Sequence, residues 1–270
     1  NPTIEASVIL EDGTVGTAAC PSGTSVGKYE AVELQDKEMK RYHGKGVLKA
    51  IDNITSIIKP ELIGVEITEQ KEIDNRMIGL DPEKNKGTIG ANAMLAVSMA
   101  AAKAGAISTN MPLYRYLEQF LPDSEATLKI PTPAFNIING GLHAGSALDI
   151  QEFMVIPATF KTFSEALQLG VAVYHNLKQV LSKNFLSTLV GDEGGFAPSL
   201  ATNQDALSLI SQAIEMAGVR LGYDAFCGMD CASDNFFSDG KYKIKDRPMA
   251  LNNKQLVAYY EELVKKYNIL

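Results

Sequence analysis

The sequence predicts an α/β fold in two parts, an α+β domain over residues 1–125 and a β/α domain over residues 126–270. Three observations predict it. In the first part, short alternating apolar runs are followed by helical periodicity. In the second part, compact apolar runs alternate with long amphipathic helices, a pattern typical of a parallel sheet, open or closed into a barrel. Finally, the 270 residues are 46% hydrophobic, which is enough for a sizeable buried core.

The first part begins with a predicted antiparallel sheet between Thr3 and Val32, in which Asp12-Gly13 marks a turn. Helical periodicity then follows over residues 47–58, 68–80 and 90–107. The last of these helices is rich in alanine, but polar residues such as Lys103 interrupt it. It therefore predicts a buried helix and not a membrane span.

The second part follows the polar stretch Leu121–Lys129, the best candidate for a linker. Residues 130–138 and 151–157 are predicted strands covered on both faces. A capping box formed by Thr162 and Glu165 opens a helix that we expect to reach Lys183. The apolar stripe predicted for this helix consists of Leu167, Val171, Tyr174, Leu177 and Leu181. A similar start at Thr202–Asp205 opens a second helix, which Gly218 ends.

Composition narrows the possible partners and compartment. The formal charge of -7 argues against nucleic acid as the main partner. Three cysteines, an odd number, disfavour a disulfide framework, so we expect a reducing, cytoplasmic location. The chain opens without an initiator methionine and closes on an apolar run that resembles the first residues of a buried strand. We therefore expect a partial chain.

Two acidic peptides are candidates for chemistry. In Gly191-Asp192-Glu193-Gly194-Gly195, adjacent carboxylates lie on backbone that can bend tightly around a ligand, although a solvated turn fits the same residues. In Gln151–Pro157, Glu152 interrupts an apolar strand. A buried carboxylate must be paired, metal-bound or neutralised, unless the side chain reaches solvent at the strand end.

Asp230 and His143 each follow an apolar run. Asp230 ends a predicted strand, where a barrel binds its ligands, but a helix N-cap is also compatible with it. His143 lies among glycines, and a single loop histidine is more often structural than catalytic. None of the three histidines has a metal-ligand partner at helical spacing, which disfavours zinc. Cys227 and Cys231 are predicted to be core thiols.

The loop Pro21–Lys28 is rich in glycine and hydroxyl side chains, including Ser25. Its spacing does not match a phosphate-binding P-loop, because three residues, and not four, separate Gly23 from Gly27-Lys28. Both a mobile lid and an ordinary surface loop fit this composition.

Taken in order, these peptides resemble the enolase family. The resemblance is carried by residues 21–27, 139–145, 151–154, 191–195 and 229–233, and it extends over essentially the whole chain. It implies an α+β capping domain followed by an incomplete enolase-type (β/α)8 barrel. It also implies the Mg²⁺-dependent dehydration of 2-phosphoglycerate to phosphoenolpyruvate, by a homodimer or an octamer of dimers in the cytoplasm.

The same resemblance implies a role for each candidate residue. Asp230 would bind the tighter Mg²⁺ ion, and Ser25 would help to bind a second one. Glu193, supported by Glu152, would act in general-acid loss of the hydroxyl group. His143 would contact the substrate near its phosphate, with Gln151 and Glu152 also at the substrate site.

The residues that the resemblance would add beyond Leu270 are the base lysine, two more carboxylate ligands of Mg²⁺, and the cations that hold the substrate. We therefore expect residues 1–270 alone to be inactive. Two other hypotheses remain open at this point: a truncated enolase-like protein with a binding or structural role, and a relative that acts on another carboxylate substrate.

Overall fold

A computed structural model describes residues 1–23, 26–121, 128–145 and 148–270. The chain folds as two compact units, Asn1–Thr127 and Leu128–Leu270. The predicted boundary at 125/126, and most of the predicted linker, lie outside the described residues, so the boundary stays a prediction.

The first unit combines a two-stranded sheet with helices. Strands β1 (Ile4–Ile9) and β2 (Val15–Cys20) pair antiparallel, as predicted, and Ile4 lies opposite Cys20. The helices are α1 (Leu48–Asn53), α2 (Lys59–Leu62), α3 (Gln70–Leu80), α4 (Ala91–Ser108) and α5 (Leu113–Glu118). A π-helical turn, Ile54–Ile58, joins α1 to α2, and a short 3-10 helix covers Tyr42–Gly44.

The alanine-rich helix α4 forms the centre of the first unit. Eleven of its residues are buried, as predicted for this segment. Its backbone approaches β2 so closely that a side chain at Gly16 would lie 2.3 Å from the carbonyl oxygen of Ala100. Glycine at this position and alanines along the helix thus permit direct helix–sheet contact. No helix among the described residues is long and apolar enough to cross a membrane.

The second unit contains a three-stranded sheet covered by long helices. Its strands are β3 (Phe135–Asn139), β4 (Glu152–Pro157) and β5 (Ala225–Asp230), with β4 in the centre. The helices are α6 (Phe163–Lys183), α7 (Asn203–Met216) and α8 (Asn253–Tyr267). Short 3-10 helices, Gly141–Ala144 and Ser233–Phe236, follow β3 and β5. A small hairpin pairs β6 (Phe237–Ser238) with β7 (Lys241–Tyr242).

The prediction of a parallel sheet is wrong for β4, which runs antiparallel to both of its neighbours. Other features fit the prediction: β3 and β5 run in the same direction, and parallel bridges join Ile138 to Phe196 and Cys227 to Ile269. The exception arises because the described residues between β3 and β4 contain no α-helix, whereas parallel neighbours need a crossover connection, usually helical. The described strands do not close into a barrel.

The prediction for the buried face of α6 is wrong in part. Both predicted capping boxes, at Thr162 and Thr202, are present. Leu177 and Leu181 are fully buried, but Leu167 and Val171 are exposed. Gly170 explains the difference, because a side chain there would lie 2.5 Å from the Phe135 ring. The helix therefore packs through the face that contains Gly170, and Leu167 and Val171 lie on its outer face.

A fully buried asparagine, Asn203, fixes the segment that leads into β4. Its Oδ1 accepts hydrogen bonds from the backbone N–H groups of Asp149 and Ile150 at 3.1 and 3.2 Å. Its Nδ2 donates to the carboxylates of Asp149 and Asp246 at 3.0 and 2.7 Å. Asp246 also accepts the backbone N–H groups of Asn203 and Gln204, which anchors the start of α7. One side chain thus ties the approach to β4 to a helix.

Replacing Asn203 with alanine should destabilise the second unit by about 2–4 kcal/mol, because the backbone N–H groups of Asp149 (part-buried) and Ile150 (buried) lose their acceptor. Amide hydrogen exchange at residues 149 and 150 should accelerate, and the urea midpoint should fall. The matched control is Asn176→Ala, which removes one 3.4 Å bond to the Ala213 carbonyl and should cost about 1 kcal/mol or less. Equal effects of the two substitutions would contradict the role given to Asn203.

Candidate functional site

Three polar residues meet at one edge of the sheet in the second unit. Asn139, the last residue of β3, lies opposite Glu152, the first residue of β4. Glu152 in turn lies opposite Asp230, the last residue of β5. Because β4 runs in the reverse direction, its first residue lies level with the last residues of its neighbours. The sheet register therefore holds the two carboxylates on adjacent strands.

Glu193 reaches the same edge from the glycine-rich loop after α6. The loop closes through hydrogen bonds from the backbone N–H of Gly191 to the Gly195 carbonyl (2.8 Å) and from that of Gly194 to the Gly191 carbonyl (3.1 Å). Gly194 has φ +85°, a conformation that other residues rarely adopt. The Tyr174 hydroxyl donates to the Gly194 carbonyl at 2.8 Å, which attaches the loop to α6.

The carboxyl groups of Glu152 and Glu193 form a hydrogen-bonded pair. Burial raises the pKa of Glu152 to about 7, with further contributions from the hydrogen bond and charge of Glu193 and from the charge of Asp230. Two carboxyl groups in contact cannot both ionise freely, so the pair retains a proton near neutral pH. A proton retained by this pair, at the end of the sheet where Glu193 is exposed, is available to a reaction that needs an acid.

Gln151 is buried, and its contacts join β4 to the segments on either side. Its backbone N–H donates to the Asp230 carbonyl, and its carbonyl accepts from Gly140. Its side-chain oxygen accepts a 3.4 Å hydrogen bond from Asn235, in the 3-10 helix after β5. In this structure the side chain of Gln151 supports the edge on which Glu152 and Asp230 lie.

Comparison with protein-family models identifies both units. The model for the enolase N-terminal domain matches residues 1–117, and the model for the enolase C-terminal TIM barrel domain matches residues 127–270. The chain belongs to the enolase family. The predicted fold class is thereby confirmed: an α+β N-terminal domain is followed by part of an enolase-type barrel.

Of two residues that the enolase resemblance implicates, the structure describes the backbone of His143 and does not describe Ser25. Ser25 lies outside the described residues. The backbone of His143 lies in the 3-10 helix directly after β3, so it follows the strand that ends at Asn139. The structure brings together Glu152, Glu193 and Asp230, with Gln151 beside them. The roles given to these residues remain predictions.

The chemistry of the edge suits a hard divalent cation, but only in part. Asp230 is exposed and presents carboxylate oxygens, the donors that Mg²⁺ prefers. One of these oxygens also accepts the backbone N–H of Ala232 at 3.1 Å, which orients the group. Within the described ranges, no three His, Cys, Asp or Glu side chains lie close enough to hold a metal ion. By its chemistry, Asp230 can supply a single oxygen ligand to such an ion.

Two asparagines on β3 contact this site and were not predicted from the sequence. The Nδ2 of Asn136 donates a 2.9 Å hydrogen bond to the Glu193 carboxylate. Asn139 is fully buried, in register with Glu152. The available signal was the run Phe135-Asn136-Ile137-Ile138-Asn139, where two amides interrupt a strand that is otherwise apolar.

We predict that, without metal, one glutamate carboxyl titrates with a midpoint near pH 7, measured by ¹³C NMR of the glutamate carboxyls. In Glu193→Gln this midpoint should fall, because the neighbouring negative charge is gone. It should stay above the usual 4.5, because burial remains the largest cause of the raised pKa. An unchanged midpoint in Glu193→Gln would show that the two carboxyls are not paired.

The raised pKa of Glu152 also determines how its contribution to folding stability changes with pH. Protonated Glu152 is favoured in the folded state, so its stabilisation is complete below pH 4.5 and is lost as the pH rises through about 7. The urea midpoint of the wild type, relative to that of Glu152→Gln, should therefore fall between pH 4.5 and about 7 and stay constant at higher pH.

Proposed function

We propose that this chain supplies the acid half and one metal ligand of an enolase, which converts 2-phosphoglycerate reversibly to phosphoenolpyruvate in glycolysis and gluconeogenesis. The observation that carries the proposal is the proton-sharing pair Glu152–Glu193, level with Asp230 on the neighbouring strand. A dehydration needs an acid where the hydroxyl group leaves and positive charge where the substrate becomes more negative. The Glu152–Glu193 pair provides the acid. Asp230 would help to provide the positive charge by binding Mg²⁺.

In the proposed reaction, Glu193 gives a proton to the substrate hydroxyl while the carbon–oxygen bond breaks, so that the group leaves as water. Glu152 shares that proton with Glu193 beforehand and keeps it in place at neutral pH. In the reverse direction, the same pair takes a proton from the attacking water. Glu193 is the exposed member and Glu152 the half-buried one, which agrees with this division.

Mg²⁺ bound at Asp230, and a second ion held with Ser25, would neutralise the charge that develops on the substrate carboxylate when its neighbouring carbon loses a proton. We propose that His143 and Gln151 also line the substrate site, His143 near the phosphate. By the family resemblance, we propose that the base lysine follows Leu270. Turnover is therefore expected of the gene product that also contains this lysine, in the cytoplasm, as a homodimer or an octamer of dimers.

In that gene product, Glu193→Gln should lower kcat for 2-phosphoglycerate by a factor on the order of 10²–10⁴, the usual contribution of a general acid. The assay follows the ultraviolet absorbance of phosphoenolpyruvate with added Mg²⁺. The matched control is Glu261→Gln, an exposed position on α8, which should leave kcat unchanged.

Each alternative predicts a different result in this assay. Wild-type protein without turnover on 2-phosphoglycerate would contradict the proposal and favour a binding role. Turnover only on another carboxylate substrate would indicate a different member of the wider superfamily. Full activity in Glu193→Gln would remove the acid role while leaving the enolase assignment intact.

A further inference from the structure

The asparagines of β3 lie on the same side of the strand because β3 contains a bulge. Asn136 pairs with Met154, and Ile138 pairs with Phe153, so Ile137 is an extra residue relative to β4. In a regular strand, residues three apart point to opposite faces. The inserted residue, Ile137, brings residues 136 and 139 to the same face. Asn136 and Asn139 can therefore both face the glycine-rich loop that carries Glu193.

Gly195 shows where both amides point. A Cβ atom added there would lie 2.5 Å from Oδ1 of Asn139 and 3.1 Å from Oδ1 of Asn136. The backbone next to it is fixed to β3 as well: the N–H of Asn139 donates to the Phe196 carbonyl, and the N–H of Phe196 donates to the Ile137 carbonyl, both at 2.9 Å. Gly195 thus lies against two amide side chains, with the following residue bonded to the strand.

The side-chain amides of Asn136 and Asn139 do not favour folding stability. Asn139 is fully buried, and neither its Oδ1 nor its Nδ2 has a hydrogen-bond partner among the described residues. Oδ1 of Asn136 is also buried and has no hydrogen-bond partner among the described residues, although its Nδ2 donates a hydrogen bond to Glu193. Burying an unpaired amide costs free energy that an apolar residue of similar shape would avoid. A role in the site accounts for the presence of amides here.

We propose that Asn136 and Asn139 are positioning residues, which hold Gly195 and, through the loop, set the Glu193 carboxylate against Glu152. Asn136 acts directly, through its hydrogen bond to Glu193. Asn139 acts through contact, since its amide fills the space beside Gly195 and limits how closely the loop can approach β3. This inference rests on the proposed role of Glu193 as the acid.

The test adds a Cβ atom at Gly195 and then removes the Asn139 amide that this atom would meet. The backbone of Gly195 does not have a positive φ, so in Gly195→Ala the main penalty is the contact with Asn139. In the full gene product, Gly195→Ala should lower kcat at least tenfold, with KM within about twofold, because the loop and Glu193 move while the remaining substrate contacts stay. Asn139→Ala combined with Gly195→Ala should recover at least several-fold of that loss.

Two further variants keep the test decisive. Gly79→Ala is the matched control, because an added Cβ there meets no atom within 4 Å and the backbone is helical; kcat should not change. Asn136 is only half-buried, so Asn136→Ala should fold, which far-UV circular dichroism checks, and kcat should fall on the order of tenfold at unchanged KM.

The outcomes separate this inference from the proposed function. Wild-type kcat in Gly195→Ala, or a double variant no better than Gly195→Ala, would overturn the role of Asn139. Wild-type kcat in Asn136→Ala would overturn the role of Asn136. In both cases wild-type turnover on 2-phosphoglycerate would still stand. If the wild type itself does not turn over, it is the proposed function that fails.

Discussion

The reversed direction of β4 is the constraint on which the rest of the site depends. In a sheet whose strands all run one way, the first residue of the central strand would lie at the opposite edge from the last residues of its neighbours. Here β4 pairs antiparallel with both neighbours, so Glu152 lies level with Asn139 and Asp230. Backbone pairing, which tolerates little displacement, thus sets the spacing of the two carboxylates.

This register has an electrostatic consequence. It places Glu152 beside the charge of Asp230 and within reach of Glu193, in a partly desolvated position, so the proton is bound more tightly than in water. The surrounding structure keeps the arrangement in place. Asn203 fixes the approach to β4, and the loop of Glu193 is attached by Tyr174 and by Phe196, whose ring stacks on that of Tyr174 at 4.4 Å. Glu152 and Glu193 are therefore preorganised, because the residues that hold them in place are themselves fixed.

Local patterns in the sequence predicted most elements of this fold. Capping boxes located the starts of α6 and α7, and apolar runs located β4 and β5, because these signals act over a few neighbouring residues. Strand direction was not predictable in this way, since it depends on which connection carries a crossover helix. The outward turn of Leu167 was also missed, because it depends on contact between Gly170 and Phe135, far apart in sequence.

The candidate site was predicted to a similar extent. Unusual positions identified Glu152, Glu193 and Asp230, since a carboxylate in an apolar strand or between glycines stands out. Asn136 and Asn139 did not stand out, because an amide in a strand carries no charge, and only the bulge brings the two to one face. Periodicity assumes a regular strand, so a single inserted residue removes the information on which such a prediction depends.

A double-mutant cycle on kcat tests most directly whether Glu152 and Glu193 act as one proton-sharing unit. Glu152→Gln, Glu193→Gln and the double variant are compared in the Mg²⁺-dependent dehydration of 2-phosphoglycerate by the full gene product. If the pair is one unit, the double variant loses little more than the worse single variant, as for other residues that act together. Losses that multiply in the double variant would show two independent carboxyl groups and would contradict the account.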